Sequence, residues 1–235
     1  MLSQPQSATT CSAFRVTAVS DVLTALACAV LGIGVGHLAN RLAGRFPWSA
    51  PRERRLAARL PLIEVGTAAL FALTAVRFGL SWELSAYLFL AGAAVLLTLI
   101  DVQHKLLPNR VLLPAAGGGT ALLTVAALAT GDWTALLRAG LGAVLLFVVF
   151  LVLALISPRS LGMGDVKLAG LLGLYLGWLG WPVLVLGAAA GFVVQALLAL
   201  ALLAARRIGL RGELPFGPAM LLGAALAIGW SDLLL

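Results

Sequence analysis

The chain has 235 residues, of which 62% are hydrophobic and only 11% are charged. Soluble domains carry about 25% charged residues, so this composition excludes an ordinary soluble protein and predicts a membrane protein. The net charge of +7 does not indicate nucleic-acid binding, because the basic residues fall in short segments between apolar runs, where they set membrane orientation. The two cysteines, Cys11 and Cys28, lack CxxC spacing, which excludes a disulfide framework and a thiolate zinc site.

The first segment of the chain, residues 1–17, is small and polar, and we predict a disordered tail there. A membrane-spanning helix needs about 20 mostly apolar residues. Stretches that meet or nearly meet this length lie at 19–39, 61–80, 83–100, 111–130, 136–156, 165–181, 183–205 and 216–234. We therefore predict an all-α, polytopic bundle of about eight transmembrane helices in a lipid bilayer.

The distribution of basic residues predicts which end of the bundle faces the cytoplasm. Of the 16 Lys and Arg residues, all but Arg15, Arg77 and Arg138 lie in or next to the segments after the first, third, fifth and seventh stretches. Positive charge marks the cytoplasmic side, so these segments are predicted to be inside and both termini outside. The same topology brings the end of the third stretch and the start of the sixth to the cytoplasmic face.

Two aspartates stand at that face. Asp101 ends the third stretch, and Asp165 opens the sixth within the segment 161–167, beside Gly162 and Gly164. A charged residue in a membrane segment costs about 2.5–3.5 kcal/mol on insertion scales, so it is a candidate for function. Two close carboxylates cannot both ionise cheaply; the ionised one can take a proton from water while the protonated one polarises a peptide carbonyl. That chemistry needs no metal and no cofactor.

The residues around the aspartates allow both functional and structural interpretations. The two glycines are predicted to let the backbone turn tightly and to let an extended substrate approach it. Structurally, Asp165 suits the N-cap of a helix, and Asp101 suits an ion pair with Lys105 one turn later. In a functional pair, the helix dipole favours charge on Asp165 at a helix start and disfavours it on Asp101 at a helix end. We therefore expect Asp101 to hold the shared proton, with Lys105 opposing this.

Three segments carry a resemblance to a known family. They are 100–109, with its aspartate and Leu-Pro pair, 162–168, with its GxGD pattern, and 214–218. Weaker matches lie at 36–41 and 60–64. In these segments and in their order, the chain resembles the type IV prepilin peptidases, a family of integral-membrane aspartic proteases.

The resemblance implies an activity and a set of site residues. It places the catalytic roles on Asp101 and Asp165. The residues that it implies to shape the site are Gly162, Gly164, Lys167 and Pro108. It further implies cleavage of basic leader peptides from prepilin-like precursors, at the cytoplasmic face of the inner or plasma membrane. Residues 61–235 would form the membrane-embedded peptidase domain, and residues 18–60 a reduced counterpart of the family's N-terminal region.

Two departures from the family bear on the chemistry. Many members carry cysteine pairs in the cytoplasmic loop after the first helix, linked to methylation of the new N terminus, whereas residues 42–60 here contain no cysteine. Zinc held by four thiolates is therefore excluded in that loop, and we expect leader cleavage without strong N-methyl transfer. Secondly, Gln103 stands where the family often has another acid, two residues after Asp101.

Other polar residues receive simpler interpretations. His37 and His104 are predicted to be interfacial, Gln195 to hydrogen-bond across helices, and Glu64 either to pair with the arginine-rich loop or to contact substrate. A transporter is the main alternative function, since it too would use intramembrane acids; the location of both aspartates at one face, away from the midplane, argues against it. A purely structural subunit would leave a GxGD motif facing a second acid unexplained.

Overall fold

The computed structural model describes residues 7–46, 61–157, 161–206 and 214–234, and every regular element in these ranges is a helix. In chain order the helices are α1 (Ser7–Ala43), α2 (Leu62–Phe78), α3 (Leu84–His104), α4 (Asn109–Thr130), α5 (Trp133–Ile156), α6 (Met163–Leu179), α7 (Trp181–Ala204), α8 (Gly217–Gly229) and α9 (Ser231–Leu234). The prediction of an all-α bundle is confirmed.

The first seven predicted apolar stretches correspond to α1–α7, and the last, 216–234, covers both α8 and α9. Five segments are long and apolar enough to cross a membrane: Ser20–Ala43 of α1, and α3, α4, α5 and α7. Helices α2 and α6 have 17 residues each and α8 has 13, fewer than the roughly 20 that a full span needs. The protein is a multi-pass membrane protein, while the count of eight spans and the sides of the two termini stay predictions.

Helix α1 begins earlier than the sequence predicted. It starts at Ser7, so residues 7–17, which were expected to be disordered, are continuous with the first apolar stretch. That segment contains no Gly or Pro, and adding residues to an existing helix costs far less than starting one. Residues 1–6 of the predicted tail lie outside the described residues.

Glycines determine which helices pack most closely. The most extensive contacts join α5 to α6, α1 to α2 and α7 to α8. At the first of these, a Cβ on Gly173 would collide with the backbone of Gly142, and a Cβ on Gly177 would lie 2.8 Å from the Arg138 carbonyl oxygen. Residues without a side chain let these backbones touch, which is how helices associate when lipid surrounds them.

Helix α6 lies at the centre of the bundle. It packs against α4, α5, α7 and α8, and almost every residue from Val166 to Trp178 is buried. Helix α8 contacts both α3 and α6. This arrangement brings together the last turn of α3, the first turn of α6 and the first turn of α8, which are far apart in the sequence.

Two arginines stabilise the end of the bundle opposite to these three helix turns. Arg138 on α5 donates hydrogen bonds to the carbonyl oxygens of Gly177 and Trp178, at the end of α6. Arg77 at the end of α2 donates to the Ile228 carbonyl and to Asp232, across to α8 and α9. Cationic side chains suit helix ends whose carbonyls lack partners within the helix. Both arginines are thus used structurally, on the side predicted to be outside.

Candidate active site

Asp101 lies one turn before the end of α3 and is almost fully buried, with 4% of its surface exposed. Its Oδ2 atom accepts a hydrogen bond from the backbone N–H of Gly217, at 3.1 Å. A buried carboxylate needs such partners, because burial removes its hydration. The start of α8 therefore fixes the orientation of this carboxylate.

Asp165 is the third residue of α6 and is partly buried. Its Oδ2 atom accepts a hydrogen bond from the backbone N–H of Gly162, at 3.1 Å. The structural interpretation of this aspartate is thus partly correct, although Gly162 and not Asp165 occupies the N-cap position. The first turn of α6 stabilises a negative charge here, since its backbone N–H groups and dipole point toward the helix start.

The two carboxylates lie at the same end of the bundle. They are close enough for the charge of Asp165 to act on Asp101. The sequence alone suggested this proximity through the positions of basic residues, and the structure achieves it through the packing of α8 against both α3 and α6. Two acids in this arrangement can share a proton, which is the requirement for activating water without a metal.

Gly217 is a site residue that sequence reasoning did not single out. A Cβ at this position would lie 2.5 Å from Oδ2 and 3.2 Å from Cγ of Asp101. Only glycine therefore allows the backbone to approach the carboxylate closely enough to donate its hydrogen bond. The available signal was the glycine between Phe216 and Pro218 at the start of the last apolar stretch.

Leu107 occupies the space between the two helix starts. A Cβ on Gly164 would lie 2.9 Å from the Leu107 Cβ atom, and a Cβ on Gly217 would lie 3.6 Å from its Cδ1 atom. Pro108 follows in an extended conformation and precedes the first residue of α4. The glycine at 164 is thus required by the contact with Leu107.

Only the tight turn predicted at Gly162 is missing from the structure, while the approach of an extended substrate stays a prediction. The φ of −81° and ψ of 156° at Gly162 are open to any residue, so a tight turn does not explain glycine there. A Cβ on it would make only an ordinary contact, 3.6 Å from the Asp165 Oδ2 atom. The glycine leaves the surface next to Asp165 free of a side chain.

Lys167 ties the start of α6 to the start of α4. Its Nζ atom donates a hydrogen bond to Oδ1 of Asn109, at 2.8 Å. Asn109 directly follows Pro108, so this bond holds the chain that leaves Asp101 against the helix that carries Asp165. The two predicted shaping residues therefore lie on either side of one contact. Pro108 belongs to the segment that leads into α4, and Lys167 belongs to the helix that binds this segment.

The remaining polar residues occupy less central positions. His104 packs its ring against Phe46, with ring centroids 4.8 Å apart. His37 lies 3.3 Å from Glu64, while the arginine-rich loop at 47–60 lies outside the described residues. Gln195 was expected to bond across helices, but its Oε1 atom is buried and has no hydrogen-bond partner within the described ranges. Among those same residues, no cluster of three or more His, Cys, Asp or Glu side chains is suited to a metal.

Comparisons with known proteins point in the same direction. The model of the type IV leader peptidase family matches residues 88–200, a range that contains both aspartates. A prepilin leader peptidase/N-methyltransferase of Pseudomonas putida is 34% identical over 185 residues, which cover 77% of this chain and 62% of that protein. The protein of the same name from Bacillus subtilis is 33% identical over 180 residues, which cover 76% of this chain and 68% of that protein.

The chain is shorter than these relatives. A third, from Pseudomonas aeruginosa, bears the same name and is 33% identical over 175 residues, which cover 74% of this chain and 59% of the relative. The chain thus spans about three fifths of the length of the two Pseudomonas proteins. No solved structure matches it significantly.

Proposed function

Because the chain belongs to the type IV leader peptidase family, we propose that it is an aspartic endopeptidase that removes the leader peptide from type IV prepilin-like precursors. Asp101 and Asp165 are its catalytic pair. The observation that carries the proposal is the placement of these two acids at one end of the bundle, with interacting charges. Gly162, Gly164, Lys167 and Pro108 shape the site around them.

At rest the pair holds one proton. Asp165 stays charged because it lies in the first turn of α6, where the helix dipole favours a negative charge. Asp101 is almost fully buried near the end of α3, where burial and the dipole both favour the neutral form. Its Oδ2 atom already accepts from Gly217, so the proton is held on Oδ1.

Peptide cleavage follows from this arrangement. Asp165 takes a proton from the attacking water, while the Oδ1–H group of Asp101 donates to the oxygen of the scissile carbonyl. The water oxygen bonds to the carbonyl carbon, and the carbonyl oxygen takes the proton of Asp101, which gives a tetrahedral intermediate. When its C–N bond breaks, the C=O bond re-forms and that proton returns to Asp101, while the leaving nitrogen takes the proton from Asp165. The products are a leader with a new carboxylate and a mature chain with a new amine.

The basic residues at the end of the bundle that holds the two aspartates indicate on which side of the membrane the reaction occurs. Described basic residues near this end include Arg41, Arg45, Lys105 and Arg110, and positive charge favours the cytoplasmic side. We place the active site at the cytoplasmic face of the inner or plasma membrane. Its partners are prepilin-like precursors with a basic leader, and the chemistry uses no cofactor.

Cleavage of a purified precursor by the purified protein in detergent tests the proposal. Asp101→Asn and Asp165→Asn should each abolish cleavage, because a pair needs both an acid and a base. Asp132→Asn is the matched control, since Asp132 caps α5 at the other end of the bundle, where it accepts from Ala135 N at 2.9 Å. Substantial activity in either active-site variant contradicts the assignment. Absence of cleavage, together with transport of an ion or solute across sealed vesicles, would instead indicate a transporter.

A further inference from the structure

Among the residues that the structure describes, Glu64 is a further buried acid at the end of the bundle that holds the aspartate pair. Glu64 is the third residue of α2 and is only 6% exposed. Its Oε1 atom lies 3.3 Å from Nδ1 of His37. Its Oε2 atom is buried and has no hydrogen-bond partner among the residues that the structure describes. A buried carboxylate oxygen without a donor is costly, so this atom is suited to receive one from a ligand.

Close helix packing holds this acid in place. A Cβ on Gly36 would lie 2.7 Å from Oγ1 of Thr67 and 3.1 Å from the Cα atom of Glu64. Helices α1 and α2 therefore touch backbone to backbone beside the carboxylate. The His37 side chain remains 39% exposed, so the imidazole forms the outward-facing side of this pair. We name these two residues, Glu64 and His37, the acidic exosite.

The acidic exosite lies near the depth of the aspartate pair. The contact between Phe46 and His104 places the ends of α1 and α3 together. With a rise of about 1.5 Å per residue, His37 is about 9 Å along α1 from its last residue, and Asp101 is about 4.5 Å along α3 from His104. His37 and Asp101 therefore lie at similar depths in the bundle.

We propose that the acidic exosite binds a cationic nitrogen group of the peptide substrate, a primary ammonium or a guanidinium. This rests on the proposed peptidase function and adds a specificity-determining contact to it. Such a group carries the N–H donors that Oε2 lacks, and its positive charge balances the carboxylate. A metal ion fits less well, because it would need more protein ligands than one carboxylate and one imidazole.

A peptide substrate can offer this cation in two ways. One is the side chain of a lysine or arginine near the cleavage site. The other is the α-amine that cleavage creates. Both present N–H donors on a positive charge, so the structure assigns the shared chemistry, and two sets of peptides distinguish the sources.

The first set tests the side chain. Two precursor peptides, identical except that glutamine replaces lysine and arginine in one, are cleaved by the wild type and by Glu64→Gln. This substitution removes the charge but keeps the shape. If the exosite binds a basic side chain, KM for the basic peptide should rise about tenfold to a hundredfold, the effect of one charged hydrogen bond, while KM for the glutamine peptide changes less than about twofold.

The second set tests the new amine. The mature product peptide is added as an inhibitor, either with a free amino terminus or with that terminus acetylated. If the exosite binds the amine, the free form should inhibit the wild type at least about tenfold better than the acetylated form, and Glu64→Gln should abolish this difference. Either result supports the inference and identifies the source of the cation.

The inference is overturned if the charge of the peptide affects neither KM in the first set nor inhibition in the second. This result is expected if a cation of the chain itself neutralises Glu64. In that case cleavage by the wild type would still uphold the proposed function, whereas no cleavage of any precursor would remove both proposals. Glu83→Gln is the matched control: Glu83 lies at the other end of the bundle, 3.4 Å from Nε1 of Trp178, and should alter neither set. Should Glu64→Gln not accumulate, Glu64→Asp, which draws the charge back by one methylene, must selectively weaken binding of the cationic peptide.

Discussion

The hydrogen bond from Gly217 to Asp101 joins residues that are 116 positions apart in the sequence. It uses one oxygen of the carboxylate, so in the proposed mechanism the other oxygen carries the proton. The bond also depends on the absence of a side chain at 217, because a Cβ there would lie 2.5 Å from the accepting oxygen. Gly217 is therefore a positioning residue for Asp101.

Gly217→Ala should lower kcat/KM by about tenfold or more. The added methyl group must push the carboxylate out of its position, and misplacing a catalytic group by even 1 Å costs on the order of a hundredfold in rate. Steady-state cleavage assays on equal amounts of membrane-inserted protein measure this. The matched control is Gly117→Ala, since a Cβ on Gly117 meets open space. Wild-type activity of Gly217→Ala would disprove the role.

A substitution at Lys105 tests whether Asp101 or Asp165 holds the shared proton. This lysine is the C-cap residue of α3, in a left-handed conformation, and its side chain is exposed to solvent. An exposed ammonium can extend away into water, so its effect on the pair should be small. Lys105→Met should shift both limbs of the pH–rate profile by less than about half a unit, compared with one to three units for a close ion pair. A shift of a full unit in either limb would reopen the choice between Asp101 and Asp165.

The connection between α3 and α4 follows Asp101 and contacts α6, the helix that carries Asp165. Leu107 fills the space between the starts of α6 and α8. The hydrogen bond from Lys167 to Asn109 holds the end of the connection that enters α4. A short segment held at both ends has little freedom to move. The connection is thus suited to keeping the two carboxylates at one separation.

A double-mutant cycle tests this connection. Lys167→Met and Asn109→Ala should each lower kcat/KM by about tenfold, as expected for loss of a charged hydrogen bond, and the double variant should lose no more than either single one. Precursor cleavage by the four proteins provides the measurement. Additive losses would show that the two residues act separately, and the positioning role would be withdrawn.

At the scale of the whole chain, the proposed peptidase site is not accompanied by cysteines in the segment that, by its resemblance to the family, would be linked to methyl transfer. Residues 42–60 contain none. The relatives are named for both activities, as leader peptidase and as N-methyltransferase. We therefore expect this chain to cleave leaders without strong N-methyl transfer.

Processed product should leave this protein with an unmethylated amino terminus. Mass spectrometry of the mature peptide, after incubation with the protein and S-adenosylmethionine, measures the methyl content. Cleavage in the same sample shows that the protein is active, which serves as the internal control. A stoichiometric gain of one methyl group, dependent on this protein, would contradict the expectation.

The sequence was enough to predict the helices and to single out two aspartates as the candidate catalytic pair. Lipid forces backbone hydrogen bonds to be satisfied within each segment, so a long apolar run has to form a helix. For the same reason an acid at the end of such a run marks a functional candidate, which singled out Asp101 and Asp165. The start of α1 escaped prediction, because polar composition does not prevent a helix from extending beyond an apolar stretch.

The tertiary structure alone decided how the site is held together. The hydrogen bond between Gly217 and Asp101, the position of Leu107 and the contact between His37 and Glu64 all join different helices. Apolar runs specify that helices form but leave open which faces meet, because lipid satisfies an apolar face as well as another helix does. Close approach at glycines settles those faces, and the polar contacts follow from the packing that results.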